Sequence, residues 1–381
     1  MRQCFTDGGL LTSRSLSDAP MERGWGSSIQ CEAESGRVVD VVENQHSRRI
    51  NYSETTARDP HLDLDRDSSC TQWDDLITRC SDALQALWLY SKQLCYGAEK
   101  AMNACTKLHH LKLLPSSTDS RAAQVFCLID LECVEIVLDP DIEEKTLSNI
   151  FEVQKLQRLC FDGGPNVSEY TLCRLGTIST LQFLQLDQCV LNASVIRGLA
   201  DLKKLKGLSL GIRYGIDSEC FDTICGSFID LEEPRLGSLR KLTDEDGVKL
   251  RRLKNLRKLK LWGGRGLTDL TFREGLKSPM LTELKISNCG LTNVGLESIA
   301  LNHKMLRVIH LDYCHNITDN GMIFLLKREP LLRDVSAVYC RSLGRWRQPL
   351  MSLFPRLRSL DGSPESLELY RTERVHSGVP W

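Results

Sequence analysis

Residues 281–305 read LTELKISNCGLTNVGLESIALNHKM and residues 306–331 read LRVIHLDYCHNITDNGMIFLLKREPL. Laid over each other, Leu281, Leu284 and Ile286 fall on Leu306, Ile309 and Leu311, and Cys289 falls on Cys314. After one extra residue in the second stretch, Leu291-Thr292 answers to Ile317-Thr318. Working outward, the pattern L-x-x-L-x-L starts at Leu84 and returns at Leu108, Leu131, Leu156, Leu181, Leu205, Leu231, Leu256, Leu281, Leu306, Leu332 and Leu357, at spacings of 23–26 residues. Some copies are looser: Val134 and Ile136 replace leucines in the third, Phe161 in the fourth, Val335 and Ala337 in the eleventh. Pro234 holds the second leucine position of the copy begun by Leu231, where proline cannot donate to a central strand. That position predicts either a bulge or a shifted register between Leu231 and Leu242.

The physics of one copy follows from its spacing. The x-L-x-L stretch is a short strand whose leucines point inward with period 2. A cysteine follows eight residues after the first leucine at Cys189, Cys289, Cys314 and Cys340. A small buried thiol there can donate weakly to neighbouring backbone oxygens. Thr243, Thr268, Thr292 and Thr318, with Ser168 earlier, stand where a helix N-cap belongs, and Asp246 adds an acid near the positive helix end. No copy can bury its own leucines, so stacking must make one continuous core. The fold class is therefore α/β: a leucine-rich horseshoe of about 12 repeats of ~25 residues, with parallel strands on the concave face and helices outside.

The sequence L-x-x-L-x-L-x-x-C followed by L-T-D-x-G-L-type segments, as in LTDEDGVKL from Leu242 and ITDNGMIFLL from Ile317, is similar to the cysteine-containing leucine-rich repeat. The protein resembles the F-box/leucine-rich-repeat group that carries it, over residues 84–362. This resemblance implies protein recognition as a substrate-binding component of SCF-type ubiquitin ligases, with a Skp-type adaptor and a cullin complex as partners. The alternative is a free-standing scaffold or inhibitor. Residues 1–80 hold no leucine-rich module opened by a Leu-Pro pair, which is what an F-box would show.

Outside the repeats, residues 1–67 lack any sustained period and read as largely disordered, 68–83 as a capping helix, and 363–381 as a tail. Basic and acidic residues nearly cancel, 49 against 50, which argues against nucleic acid as the main partner. No apolar run of about 18 residues exists to span a bilayer, and no signal-peptide core opens the chain. The expected compartment is cytoplasmic or nuclear, where the 16 cysteines stay reduced.

No G-x-x-x-x-G-K-[ST], H-E-x-x-H or G-x-S-x-G motif is present, so neither an enzyme nor a cofactor is expected. Cys220 and Cys225 have no matching second pair, so the sequence offers no metal site. Lys249–Lys260 carries seven basic residues in twelve; Arg251, Arg252 and Lys254 suit a helix end, and only Lys258 and Lys260 reach the concave sheet. Alternation from each first leucine puts Trp88, Phe183, Lys260, Trp262, Lys285, His310 and Asp312 on that face, with Tyr313 one residue on. Aromatics among charges are the make-up of a protein-binding hot spot, centred on Lys260, Trp262, Lys285, His310, Asp312 and Tyr313.

Overall fold

Two residues after each anchor leucine, the chain enters a strand. The computed structural model describes residues 61–64, 78, 81–89, 104–113, 130–138, 144–163, 166–211, 215–343, 354 and 359–361. Following the anchors come β2 (Ala86–Leu89), β3 (His110–Leu113), β4 (Cys133–Leu138), β5 (Arg158–Gly163), β6 (Phe183–Asp187) and β7 (Gly207–Gly211). The series continues with β8 (Glu233–Leu236), β9 (Lys258–Trp262), β10 (Glu283–Ser287), β11 (Val308–Asp312), β12 (Asp334–Ser336) and β13 (Ser359–Asp361). With β1 (His61–Leu64) they form a single 13-stranded sheet in sequential order, every recorded pair parallel. β1 lies inside segment 1–67, and Leu62 and Leu64 pair in register with Leu87 and Leu89. The remainder of 1–67, most of the cap at 68–83 and the tail 363–381 lie outside the described residues.

The anchor leucines from Leu84 to Leu332 are at most 2 % exposed. Strands β4 and β9 alternate half-buried and buried side chains, so their leucines face the helices and the intervening residues face the opposite, open side. Removing one such leucine to alanine costs ~2–5 kcal/mol, because the cavity cannot collapse between two stacked copies.

Pro234 does not disturb the frame. It is buried in β8, opposite Leu208, and the register to β9 holds at Arg235↔Lys260 and Leu236↔Leu261. The proline leaves that ladder with two paired positions, whereas β9 and β10 pair at five. Missing N–H capacity shortens the ladder but neither bulges nor shifts it.

At the strand exit the backbone turns sharply. The residue seven after the anchor has positive φ at Gly163, Gln188, Ser238, Gly263, Asn288, Tyr313 and Tyr339. Gly163 and Gly263 take this conformation, and glycine suits it because the left-handed region carries no penalty there. Elsewhere a side chain is forced into the same conformation, and its N–H reaches the next copy: Gln188 to Gly211 O at 2.9 Å, Asn288 to Asp312 O at 2.9 Å, Tyr313 to Val338 O at 2.8 Å.

The outer layer holds α1 (Glu169–Arg174), α2 (Ala193–Gly198), α3 (Ser218–Ser227), α4 (Asp244–Gly247), α5 (Asn293–Asn302) and α6 (Asp319–Arg328), with 3₁₀ and π turns between them. Ser168, Thr243, Thr292 and Thr318 occupy N-caps, as their position predicts. At α2 the cap is Asn192, whose side-chain oxygen accepts from Val195 N at 2.9 Å. The residue after the cap position serves the next copy at Asp244, Asp269 and Asn293. Asp244 accepts from Thr268 N at 2.7 Å, from Thr271 N at 3.2 Å, and from both threonine hydroxyls. Asp269 accepts from Thr292 N at 2.8 Å, and Asn293 Oδ1 accepts from Thr318 N at 2.9 Å. Glu144 and Glu169 do the same for Ser168 and Asn192.

Burial alone would raise the Asp244 carboxyl, but the bonds from Thr268 and Thr271 outweigh it and hold the group below the usual aspartate value. Such a depressed group adds stability above its unfolded pKa and loses it as pH falls through the folded one. Asp244→Ala should lower unfolding free energy by about 2–4 kcal/mol, since four donors lose their acceptor. In urea titrations the wild-type advantage over this variant should be full near pH 7 and shrink below pH 4, where the unfolded aspartate protonates.

Candidate protein-binding face

The open side of the sheet carries the residues that alternation sends away from the core. In the middle of the sheet, Arg235, Lys260, Lys285 and His310 sit on consecutive strands β8–β11 in direct register. Neighbouring strands are about 4.8 Å apart, so Arg235, Lys260 and Lys285 are like charges at close range. One carboxylate, Glu283, is shared between Lys260 at 3.5 Å and Lys285 at 3.3 Å, and Glu233 pairs with Lys258 at 2.8 Å. Burial first, then the charges of Arg235 and Lys285, bring the Lys260 ammonium down to about 8 despite Glu283. Burial and the nearby Lys285 also lower His310, against the pull of Asp312, Asp334 and Glu283.

The other charges of the Lys249–Lys260 run disperse. Lys249 pairs with Asp222 and Asp246, and Arg252 with Asp222, at the helix layer. Arg257 pairs with Glu232 at 3.1 Å. The run is three surfaces, not one basic patch.

Two residues assigned to this face by alternation are withdrawn from it. Asp312 is fully buried: its Oδ1 accepts from Ser336 Oγ at 2.7 Å and from Val338 N at 2.8 Å. Its role is to satisfy the exit of β12, just as Asp187 accepts from Gly211 N at 2.9 Å. Phe183 is 8 % exposed, lies over Gly207 of the next strand and is covered by the Arg158 guanidinium at 4.2 Å. A side chain at Gly207 would collide with the Phe183 ring, so the glycine and the aromatic form one packed unit.

Trp262 remains half-buried, its indole laid over Gly237, the residue after β8. Tyr313 stacks on Tyr339 at 4.9 Å and meets His315 edge-on at 6.4 Å. Tyr339, absent from the expected hot spot, is 40 % exposed and completes an aromatic step beside the basic strip. For Trp88 the structure gives only its place, in β2 opposite Asp63 and Lys112.

Further toward the N-terminus, Asp162 and Asp187 are register partners on β5 and β6. Burial and the Asp162 charge push Asp187 up to about 7, opposed by the bonds from Gln185 and Gly211.

Sequence comparison agrees with this architecture. A family model described as Leucine Rich repeat matches residues 277–300 and 302–326. The fold is that of the leucine-rich repeat. Among solved structures, a chain of the Rad7 and Elc1 complex from yeast is similar, with 16 % identity and a TM-score of 0.57 over 78 % of this chain and 73 % of that one. A second, from the TLR13–ssRNA13 complex, has 16 % identity and a TM-score of 0.40 over 78 % of this chain and 37 % of that one. No curated protein matches the sequence significantly. Among the described residues, no helix is long and apolar enough to cross a membrane.

The repeat cysteines lie along the exit edge. Cys189, Cys289, Cys314 and Cys340 are free thiols and are buried. Cys189 donates to Gly163 O at 3.6 Å, and Cys340 to Leu311 O at 3.0 Å. Burial pushes Cys189, Cys289 and Cys340 up to about 12 and raises Cys314 as well. A thiol without thiolate character and without access is inert. Thiol-reagent labelling followed by mass spectrometry should leave these four unmodified in the native protein and modify them on unfolding in urea; rapid native labelling of all four would refute the placement.

Proposed function

We propose that the open face of the leucine-rich-repeat sheet recognises a protein partner by an acidic segment, without catalysis of its own. The observation that carries this reading is the register-matched strip Arg235–Lys260–Lys285, three cations beside the single shared carboxylate Glu283. Like charges fixed by strand register repel whenever the face is empty of counter-charge. An incoming carboxylate relieves that repulsion, and the Tyr313–Tyr339 step and Trp262 supply apolar contact at its border.

The finer proposal is a substrate-recognition component related to F-box/leucine-rich-repeat subunits of SCF-type ubiquitin ligases, acting in cytoplasm or nucleus. Support comes from the fold shared with a chain found in complex with Elc1. A free-standing scaffold or inhibitor is the second reading, in which the open face alone accounts for binding. Affinity capture with identification of bound Skp-type and cullin subunits separates the two: a ligase component recovers them, a scaffold does not.

For a partner so captured, Lys260→Glu with Lys285→Glu should weaken binding at least ~10-fold, worth about 1.4 kcal/mol. Added salt should weaken wild-type binding in the same direction. Lys260 loses its proton near pH 8, so affinity should fall between pH 7 and pH 9, and Lys260→Met should abolish that dependence. Full-strength binding by the double variant in calorimetry would move the site off this face.

A further inference from the structure

Strands β3 and β4 bring together side chains from two successive copies, His110 from one and Cys133 with Glu135 from the next. His110 and Cys133 are register partners, and Glu135 follows two residues along the same side of β4. All three are half-buried on the open side of the sheet. One donor atom from each, imidazole nitrogen, sulfur and carboxylate oxygen, lies within 4.8 Å of the other two. We propose that His110, Cys133 and Glu135 form a zinc site with three protein ligands and an open fourth position.

The donor chemistry is that of zinc, which takes nitrogen, sulfur and oxygen ligands in tetrahedral geometry. Zinc–ligand bonds of roughly 2.0–2.3 Å put tetrahedral donors roughly 3.3–3.7 Å apart, so a rotamer adjustment closes this set on one ion. His110 Nε2 and Glu135 Oε1 are 3.7 Å apart, too long for a hydrogen bond and suited to two ligands of one metal. The other oxygen of Glu135 is held by Lys112 Nζ at 3.0 Å. That division leaves Oε1 for the metal and gives the carboxylate an outer partner that fixes its orientation.

Because the three donors stand on the open side of the sheet, the fourth position faces outward. Water or a side chain of a bound protein fills it, so the ion would join a partner to the N-terminal part of the face. The cluster does not depend on the basic strip, which lies on β8–β10.

The test uses the full chain, stripped of metal by a chelator, titrated with Zn²⁺ against a chromophoric competitor and separately with Co²⁺. Wild type should bind one tight equivalent of zinc and show a thiolate-to-cobalt charge-transfer band. Cys133→Ser and His110→Ala should each weaken that equivalent by ~100-fold or more, beyond the 10–100-fold that an outer-shell loss costs. Cys133→Ser should also erase the band. Glu135→Gln, of the same shape, should weaken binding while the band persists, since the sulfur ligand remains. Cys173→Ser, at the helix layer, should change nothing. Circular dichroism on each variant keeps loss of fold apart from loss of ligand. No tight equivalent in the wild type, or unchanged affinity and cobalt spectrum in folded Cys133→Ser and His110→Ala, would overturn the site.

Discussion

Each copy of this chain leaves polar groups that only the next copy can satisfy. The strand-exit N–H of Tyr313 reaches Val338 O, and the helix-starting Thr268 finds its acceptor in Asp244, 24 residues earlier. Buried polar groups without partners cost about 1–3 kcal/mol each. A copy detached from its neighbours would therefore lose hydrogen bonds as well as leucine contacts. The leucines make stacking favourable, but any oily stack would do that; the acceptors at Asp244, Asp269 and Asn293 fix how far one copy slides against the next. Parallel register through the whole sheet is the visible result.

That constraint explains what the sequence discloses. Anchor leucines were legible because burial is nearly total and repeats every 23–26 residues. The threonine caps were legible from the T-D pairs, yet the aspartate's service to the following copy was not, since it acts across copies rather than within the helix. A D or N directly after each capping threonine was the available signal. β1 escaped notice because no leucine stands two residues before His61, where Asp59 lies. Left-handed turns at Gln188 and Tyr313 are not legible either, because no glycine marks that conformation there as it does at Gly163 and Gly263.

The misplaced face residues fail for a common reason. Period-2 alternation tells which side of a strand a residue leaves, not what its neighbours then do to it. Phe183 leaves on the open side but finds Gly207 beside it and Arg158 above, and so becomes packing. Asp312 leaves on the same side and is consumed by Ser336 and Val338. Lys260 and Lys285 meet no such packed lid: Lys260 stands between Arg235 and Lys285, and the two lysines share the one carboxylate Glu283. Exposure on this sheet is decided by the adjacent strand.

Strict register has a chemical consequence beyond packing. In a parallel stack, equivalent positions of successive copies line up within about 5 Å, so a residue type chosen at one offset meets its counterparts directly. Where counterparts are leucines, the row is core. Where they are Arg235, Lys260 and Lys285, the row stores repulsion, which adds to burial in lowering Lys260. Where they are Asp162 and Asp187, burial first and then the neighbouring charge raise the Asp187 carboxyl. Where His110 meets Cys133, it assembles donors that no local sequence motif would reveal, because the ligands are separated by a full copy. The repeat length is thus also the spacing at which this protein composes sites: residues 23–26 apart in the chain are nearest neighbours on the face. A motif search that looks only along the chain reads the scaffold, and a search along the rows reads what the scaffold presents.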